Sequence, residues 1–393
     1  MCGIVGYNGH RDALPILIDG LKRLEYRGYD SAGVVVVGDD LLVQKAAGQI
    51  SVLEERLQEA PGTVGLGHTR WATHGRPSDA NAHPFVDCNG DLAVIHNGIV
   101  ENYQALREEL VERGHGFVSE TDTETLAHLF EDLYEGDLVA AVRAGLRRVE
   151  GNYAVGVVHK DHPGTIVAAR RENPLVVGIS PAGETLLASD VTPLLGFTNE
   201  FMFVEDGDVV VLGEGTIGIT DLDGAPVERP VQTVDWSVED AQRGGFEHFM
   251  LKEIFEQPQA ILESLMGRIT EEELSGLVPV ENVDKVKIIA CGTSYHAGLI
   301  GKYILETLAG LDTTVEMASE YRYSNLARET ALVLAITQSG ETIDTISAVR
   351  EAKRRGTSTM AITNVVGSSI TREADHIVYT RAGPEIGVAS TKT

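Results

Sequence analysis

Beyond residue 245 the sequence alternates strand-length apolar runs with helical patterns. The long helical stretch His248–Arg268 leads into Val286–Ala290, Gly298–Leu308, Ala331–Ile336, Thr342–Arg355, Ser358–Thr363 and His376–Tyr379. Few folds accept such a chain. Strands that return to one sheet after each helix run parallel, with the helices as crossovers, and ligands then sit at the loops that follow the strands' carboxyl ends. An α/β domain with a parallel sheet is the expectation for residues 246–393.

The first part has a different texture. Ile4–Tyr7 reads as a strand, and Asp12 can cap a helix carrying Leu14, Leu17, Ile18, Leu21 and Leu24 on one face. Strands dominate after that, at Gly33–Val37, Leu41–Lys45, Leu92–His96, Tyr153–His159, Thr165–Ala169 and Leu175–Ile179, interrupted by helical patterns at Val100–Arg113, Thr123–Tyr134 and Leu138–Val149. Helices gathered in blocks between groups of strands predict packed sheets covered by helices. The polar run Asp235–Gly245 is the best linker, so the domains are expected at 1–235 and 246–393, joined by 236–245. A chain of 393 residues can bury two cores.

No apolar run approaches the ~20 residues of a membrane-spanning helix. The net charge of −27 opposes non-specific binding to nucleic acid or anionic lipid, though an anionic small substrate feels only its own pocket. The first residues lack the pattern of a secretory signal, and the three cysteines have unrelated spacings; together these predict a cytoplasmic protein.

Cys2 follows the initiator methionine, and its small side chain permits that methionine's removal. Processing leaves the thiol beside a free α-amine of pKa about 7.7–8.0, so one residue supplies nucleophile and base. The sequence Met1-Cys2-Gly3-Ile4-Val5-Gly6 resembles the start of the class II glutamine amidotransferases. Four further motifs resemble the branch of that family that makes glucosamine 6-phosphate: Leu24–Gly33, His68–Gly75, His96-Asn97-Gly98-Ile99 and Ser119–Glu124.

The resemblance implies an α+β Ntn-hydrolase-type αββα sandwich for the first domain. It makes Cys2 the nucleophile, and the side chain of Asn97 and the backbone N–H of Gly98 the donors to the tetrahedral oxyanion, a charge that needs donors placed before it develops. Arg70 would hold the α-carboxylate of glutamine and Asp122 its α-ammonium, with Thr73 and His74 lining the pocket and Trp71 gating a passage for ammonia. Read without the motifs, Asn97-Gly98 is a hairpin turn, Asp122 a helix cap and Arg70 a surface arginine.

In the second domain, Val286–Ala290 runs into Cys291-Gly292-Thr293-Ser294-Tyr295, and Ala331–Ile336 into Thr337-Gln338-Ser339-Gly340-Glu341-Thr342. Backbone N–H groups and hydroxyls at a helix start can hold phosphate. Neither loop is a Walker loop or a GxGxxG fingerprint, so no nucleotide is implied. Together they resemble sugar isomerase (SIS) domains, which implies sugar-phosphate contacts by Thr293, Ser294, Gln338, Ser339 and Thr342, and by Val388 and Ser390 of the segment Glu385–Lys392. Thr337 stands where the family pattern has Ser, and the hydroxyl survives. No cofactor and no metal-ligand set are expected.

The function so implied is ammonia release from glutamine and its transfer to fructose 6-phosphate, in a homodimer. The loop-like run Gly387–Thr393 reads as an interrupted chain, and the family pattern continues with a second SIS domain holding the isomerisation base and lysine; on that reading these residues perform the glutaminase step alone. Two competitors are a phosphoribosyl-pyrophosphate or asparagine-forming amidotransferase and a non-catalytic sugar-phosphate sensor. The paired SIS-like loops argue against the first, and the intact set Cys2, Arg70, Asn97 and Asp122 against the second.

Overall fold

The computed structural model describes residues 2–25, 28–71, 75–236, 244–265, 283–324 and 332–393. The chain divides into two compact units, Met1–Asp235 and Trp236–Thr393. Among the described residues no helix is long and apolar enough to cross a membrane.

The first unit contains, in chain order, β1 (Gly3–Asn8), α1 (Ala13–Leu24), β2 (Ser31–Val37), β3 (Leu41–Ala47), α2 (Ile50–Glu54), β4 (Val64–Arg70), β5 (Phe85–Val86), β6 (Leu92–Val100), α3 (Tyr103–Glu112), α4 (Thr123–Asp132) and α5 (Leu138–Leu146). The remainder is strand: β7 (Gly151–His159), β8 (Ile166–Arg171), β9 (Val176–Ile179), β10 (Thr185–Ala188), β11 (Glu200–Phe203), β12 (Val209–Gly213), β13 (Thr216–Thr220) and β14 (Val231–Thr233). One antiparallel sheet has the order β14-β11-β9-β10-β1-β4-β2-β3, and a second the order β13-β12-β8-β7-β6-β5.

Period-two alternation explains how these sheets stack. On β1, β2 and β4, Ile4, Val35, Val37, Val64 and Leu66 point into a shared core with Ala93 and Ile95 of β6, Ala154 and Val158 of β7, and Leu187 of β10. Leu92 and Val94, the alternate residues of β6, join Leu106, Leu110, Leu126, Leu129, Phe130 and Val142 of the helices. The other face of the first sheet is covered by α1, whose Leu17, Leu21 and Leu24 are wholly buried. The layers are therefore helix, sheet, sheet, helix, the αββα sandwich. Burying a side chain of this size favours the fold by about 1.5–3 kcal/mol, so both faces of each sheet are committed and a one-residue slip of register is excluded.

Local expectations fare unevenly. Asp12 sits at the N-cap of α1, but its side chain makes no capping bond. Asn97-Gly98 is not a turn: β6 runs on to Val100, with Asn97 opposite Ala154 and Gly98 opposite Tyr153. The nine-residue ladder with β7 outweighs the pair's turn preference.

The second unit holds α6 (Phe249–Leu265), β15 (Lys285–Ala290), α7 (Gly292–Ile304), β16 (Asp312–Met317), α8 (Ala318–Tyr321), β17 (Leu332–Ile336), α9 (Ile343–Arg354), β18 (Thr359–Thr363), α10 (Ser369–Glu373) and β19 (His376–Tyr379). Its sheet is parallel throughout, in the order β16-β15-β17-β18-β19. Ile289, Val333, Ala335 and Ala361 from the strands pack with Ile346, Val349 and Ile370 from the helices. The strand order reverses between β15 and β17, which is where open α/β sheets leave a crevice at their carboxyl ends.

Candidate active site

Strand parity delivers the site of the first unit. Cys2 precedes β1 and shares the inward parity of Ile4. On β4, His68 and Arg70 continue the inward row of Val64 and Leu66, and on β6 Asn97 continues that of Ala93 and Ile95. Because Gly3 pairs with Thr69, Cys2 falls beside Arg70 and Trp71. The Trp71 N–H donates to Cys2 Sγ at 3.3 Å, and Asn97 Nδ2 donates to the Cys2 carbonyl oxygen at 3.2 Å. One sheet thus supplies the thiol and the other the amide donor.

Burial pushes the Cys2 thiol up, while the Trp71 N–H and the Arg70 charge oppose the shift. A thiol held protonated at neutral pH needs a proton acceptor before it can attack.

His68 received no role from the sequence, yet it sets the direction of Asn97. Its Nε2 lies 3.0 Å from two oxygens, the His96 carbonyl and Asn97 Oδ1. Two acceptors at one nitrogen require that nitrogen to carry the proton. Asn97 is thereby pinned through its oxygen, and its NH2 faces Cys2. Burial lowers His68 to about 3, so the ring is neutral. His83 stacks on it at 3.9 Å, is held well below the ordinary histidine range by burial, and accepts the His96 N–H at Nδ1, 3.2 Å away. In the sequence His68 stands only as the first residue of the motif His68–Gly75, with nothing there to mark its partner Asn97.

Gly98 could be no other residue. Its φ is +135°, and a Cβ there would lie 2.1 Å from the Asn152 carbonyl oxygen. Arg70 is buried, with Nη2 donating to the Gly75 carbonyl at 3.2 Å, and the Arg70 carbonyl accepts the Asp30 N–H at 3.2 Å. Asp122 occupies the N-cap position of α4 without capping it; its Oδ2 instead accepts the Val100 N–H at 2.8 Å, which fixes a buried carboxylate two residues beyond Gly98. Trp71 is 45% exposed and meets Tyr29 edge-on at 5.1 Å. Thr73 and His74 lie outside the described residues.

In the second unit, α7 begins at Gly292, so Thr293 and Ser294 occupy its first turn rather than a loop preceding the expected Gly298–Leu308 helix. No side chain caps this helix end, where Cys291 is the N-cap. The loop after β17 is braced internally: the Gly340 N–H donates to Thr337 Oγ1 at 3.3 Å, the Glu341 N–H to Ser339 Oγ at 3.2 Å, and Thr337 Oγ1 lies 3.5 Å from Thr342 Oγ1. The Gln338 carbonyl accepts the Asn364 N–H at 3.0 Å. Both loops stand at the carboxyl ends of β15 and β17, flanking the crevice. In the last segment Val388 is 86% exposed and Ser390 Oγ donates to Glu385 Oε2 at 2.7 Å.

Residues 54–210 match the family described as a glutamine amidotransferase domain, and residues 280–393 match the SIS domain family. Over its whole length the chain is 50% identical to a glutamine–fructose-6-phosphate aminotransferase (isomerizing) of Caldanaerobacter subterraneus and 54% identical to one of Thermus thermophilus, and it spans 66% of each relative. It is 48% identical to the protein of the same name from Methanosarcina acetivorans, of which it covers 67%. A solved glutamine phosphoribosylpyrophosphate amidotransferase from B. subtilis shares the fold at 19% identity, with a TM-score of 0.52 over 96% of this chain and 90% of that one.

Proposed function

The chain belongs to the glutamine–fructose-6-phosphate aminotransferase family, and from that premise we propose that it releases ammonia from glutamine at Cys2 for transfer to fructose 6-phosphate, giving glutamate and glucosamine 6-phosphate. The observation that carries the glutamine half is the convergence of Cys2, Asn97 and Gly98 from two sheets, with the Asn97 amide directed at Cys2 by His68.

The steps follow from the groups present. The Cys2 sulfur attacks the glutamine side-chain amide carbon, its proton passing to the residue's own α-amine once Met1 has been removed. The oxygen becomes an oxyanion that accepts from Asn97 Nδ2 and the Gly98 N–H; removing one such donor typically costs about 10²–10³ in turnover. Collapse breaks the carbon–nitrogen bond, and the amine's proton goes to the departing nitrogen as ammonia leaves. Water then attacks the thioester and frees glutamate and the thiol. Arg70 pairs with the substrate α-carboxylate and Asp122 with its α-ammonium, so both ends of the amino acid are fixed before the side chain reaches sulfur.

For the sugar phosphate, the reading rests on the uncapped start of α7 and the hydroxyl-rich turn Thr337–Thr342 at the sheet's reversal point. The N–H groups of a helix start receive an anion without any charged side chain, which suits a protein carrying a net charge of −27. The homodimer belongs to the same proposal.

Ammonia release from glutamine by purified protein, measured with and without fructose 6-phosphate, tests the reading. Cys2→Ala is expected to lower release at least about 10³-fold with the circular dichroism spectrum unchanged. Wild-type turnover in Cys2→Ala removes the nucleophile assignment.

A further inference from the structure

Toward the carboxyl end of α4, four donor atoms from three separate segments converge. Cys88 comes from the turn between β5 and β6, His115 from the segment after α3, and His128 and Glu131 from α4. Cys88 Sγ lies 3.5 Å from His115 Nδ1 and 3.4 Å from His128 Nδ1. Glu131 Oε2 lies 2.9 Å from His115 Nδ1 and 3.2 Å from His128 Nδ1. All four atoms fall within 4.8 Å of one another.

We propose that Cys88, His115, His128 and Glu131 form a structural site for a divalent ion of the zinc class.

The spacing is what a tetrahedral ion dictates. With Zn–S about 2.3 Å and Zn–N or Zn–O about 2.0–2.1 Å, the edges of a tetrahedron come to about 3.5 Å for sulfur to nitrogen and about 3.3 Å for nitrogen to oxygen. The two sulfur–nitrogen edges already stand at that length, and the two nitrogen–oxygen edges are within a few tenths of an ångström of theirs. One thiolate, two imidazoles and one carboxylate is also a donor set suited to zinc rather than to magnesium or calcium, which take oxygen.

The surroundings supply an independent sign. Each imidazole turns Nδ1 to the centre and Nε2 to a carboxylate outside it: His128 Nε2 is 3.8 Å from Glu124 Oε1, and His115 Nε2 is 3.5 Å from Asp132 Oδ1. Carboxylates behind metal-bound histidines fix the tautomer and raise ligand basicity. His128 is buried, and Glu124 is anchored in turn by the Val118 and Ser119 N–H groups at 2.8 Å each. The Cys88 turn is held in place by Asp87 Oδ1, which accepts from Asp91 and Leu92 N–H at 2.7 and 3.1 Å. The centre takes His128 and Glu131 from α4, six and nine residues beyond Asp122. Its role is to tie the turn at Cys88 and the approach at His115 to α4, the helix that starts beside Asp122.

The test is metal binding by the purified, chelator-treated protein, read with Zn2+ and Co2+. Expected are one zinc per chain, a rise in the unfolding midpoint on loading, and a cobalt complex with a thiolate-to-metal charge-transfer band. Cys88→Ser should abolish that band and weaken zinc at least about tenfold, and Glu124→Gln, behind His128, should weaken it by about 10–100-fold; Cys291→Ser should do neither. Thermal melts of the metal-free variants establish that each is folded, and if Cys88→Ser is not, Glu124→Gln and the wild-type cobalt spectrum decide alone. Sub-stoichiometric zinc, a cobalt spectrum without the thiolate band, or zinc affinity unchanged in folded Cys88→Ser or in Glu124→Gln overturns the proposal and leaves a proton-held cluster in which both imidazoles donate to Glu131.

Discussion

The two candidate sites are built by opposite means. In the first unit the site is built largely from buried side chains that the pleat aims: Arg70 at the end of β4 and Asn97 within β6 are 4% and 6% exposed. In the second unit the groups are hydroxyls and backbone N–H groups at helix starts and in a turn, where Thr293 is exposed and Ser294, Ser339 and Thr342 are half-buried. A site of the first kind is rigid before substrate arrives, because moving one group requires breaking a sheet register. One of the second kind distributes binding over many weak donors. Removing a single side chain should therefore be severe in the first and mild in the second.

The largest effect that probes this contrast is on Asn97. Asn97→Ala removes a donor for the oxyanion while leaving the pockets for the two ends of glutamine, so kcat for ammonia release should fall by about 10²–10³ with KM nearly unchanged. A raised KM with normal kcat would place Asn97 in substrate binding instead. Arg70→Ala should show the converse split. A charged hydrogen bond is worth about 1.5–3 kcal/mol, so the glutamine KM should rise roughly ten- to a hundred-fold. An unchanged Michaelis constant takes Arg70 out of the pocket.

Rigidity also has a signature in pH. His68 is held at about 3 by burial, and His83 is lowered in the same way. In the unfolded chain a histidine takes up its proton near pH 6.5. Between those values the unfolded state binds more protons, so stability falls as pH drops below about 6.5, by at most about 1.4 kcal/mol per pH unit for each ring. Burial alone would raise Glu124, but the nearby His128 and hydrogen bonds from Val118 and Ser119 hold it at about 2, so it adds loss only as pH falls below about 4.5. None of the described histidines of the second unit is buried. Urea midpoints followed unit by unit at about pH 7 and 5.5 should fall for the first unit only; equal shifts in both would sink the account.

The sequence made much of this legible, for reasons that differ between residues. The unbroken apolar run located β1, β6 and β7, because both faces of those strands are buried and a polar alternate residue would have no water to face. It also carried the parallel sheet, since runs such as Ala331–Ile336 have no other partner than a neighbouring buried strand. Asn97-Gly98 read as a turn on local preference, and only the long-range ladder with β7 keeps it in a strand. α7 starts six residues before the expected helix at Gly298, because Gly292, Thr293 and Ser294 carry no apolar periodicity. His68 and the Cys88 cluster escaped for another reason. Cys88 and His128 are 40 positions apart and His115 and Glu131 are 16 apart, spacings outside the short repeats by which zinc sites announce themselves.

The smallest expected effect belongs to the second site and is the sharpest check on the contrast. Ser339 Oγ accepts the Glu341 N–H and braces the turn after β17, while the neighbouring backbone groups would still face a phosphate if it were absent. Ser339→Ala should weaken fructose 6-phosphate by a neutral hydrogen bond, about 0.5–1.5 kcal/mol, or roughly two- to tenfold. Gly340→Ala in the same turn should do far more, because Gly340 has φ +67° and a Cβ there would stand 2.0 Å from Ser368 Oγ, forcing the backbone donors to move. Titration calorimetry of the two variants separates the cases. If Ser339→Ala abolished binding while Gly340→Ala preserved it, the side chain rather than the backbone would hold the anion, and the second site would be built like the first.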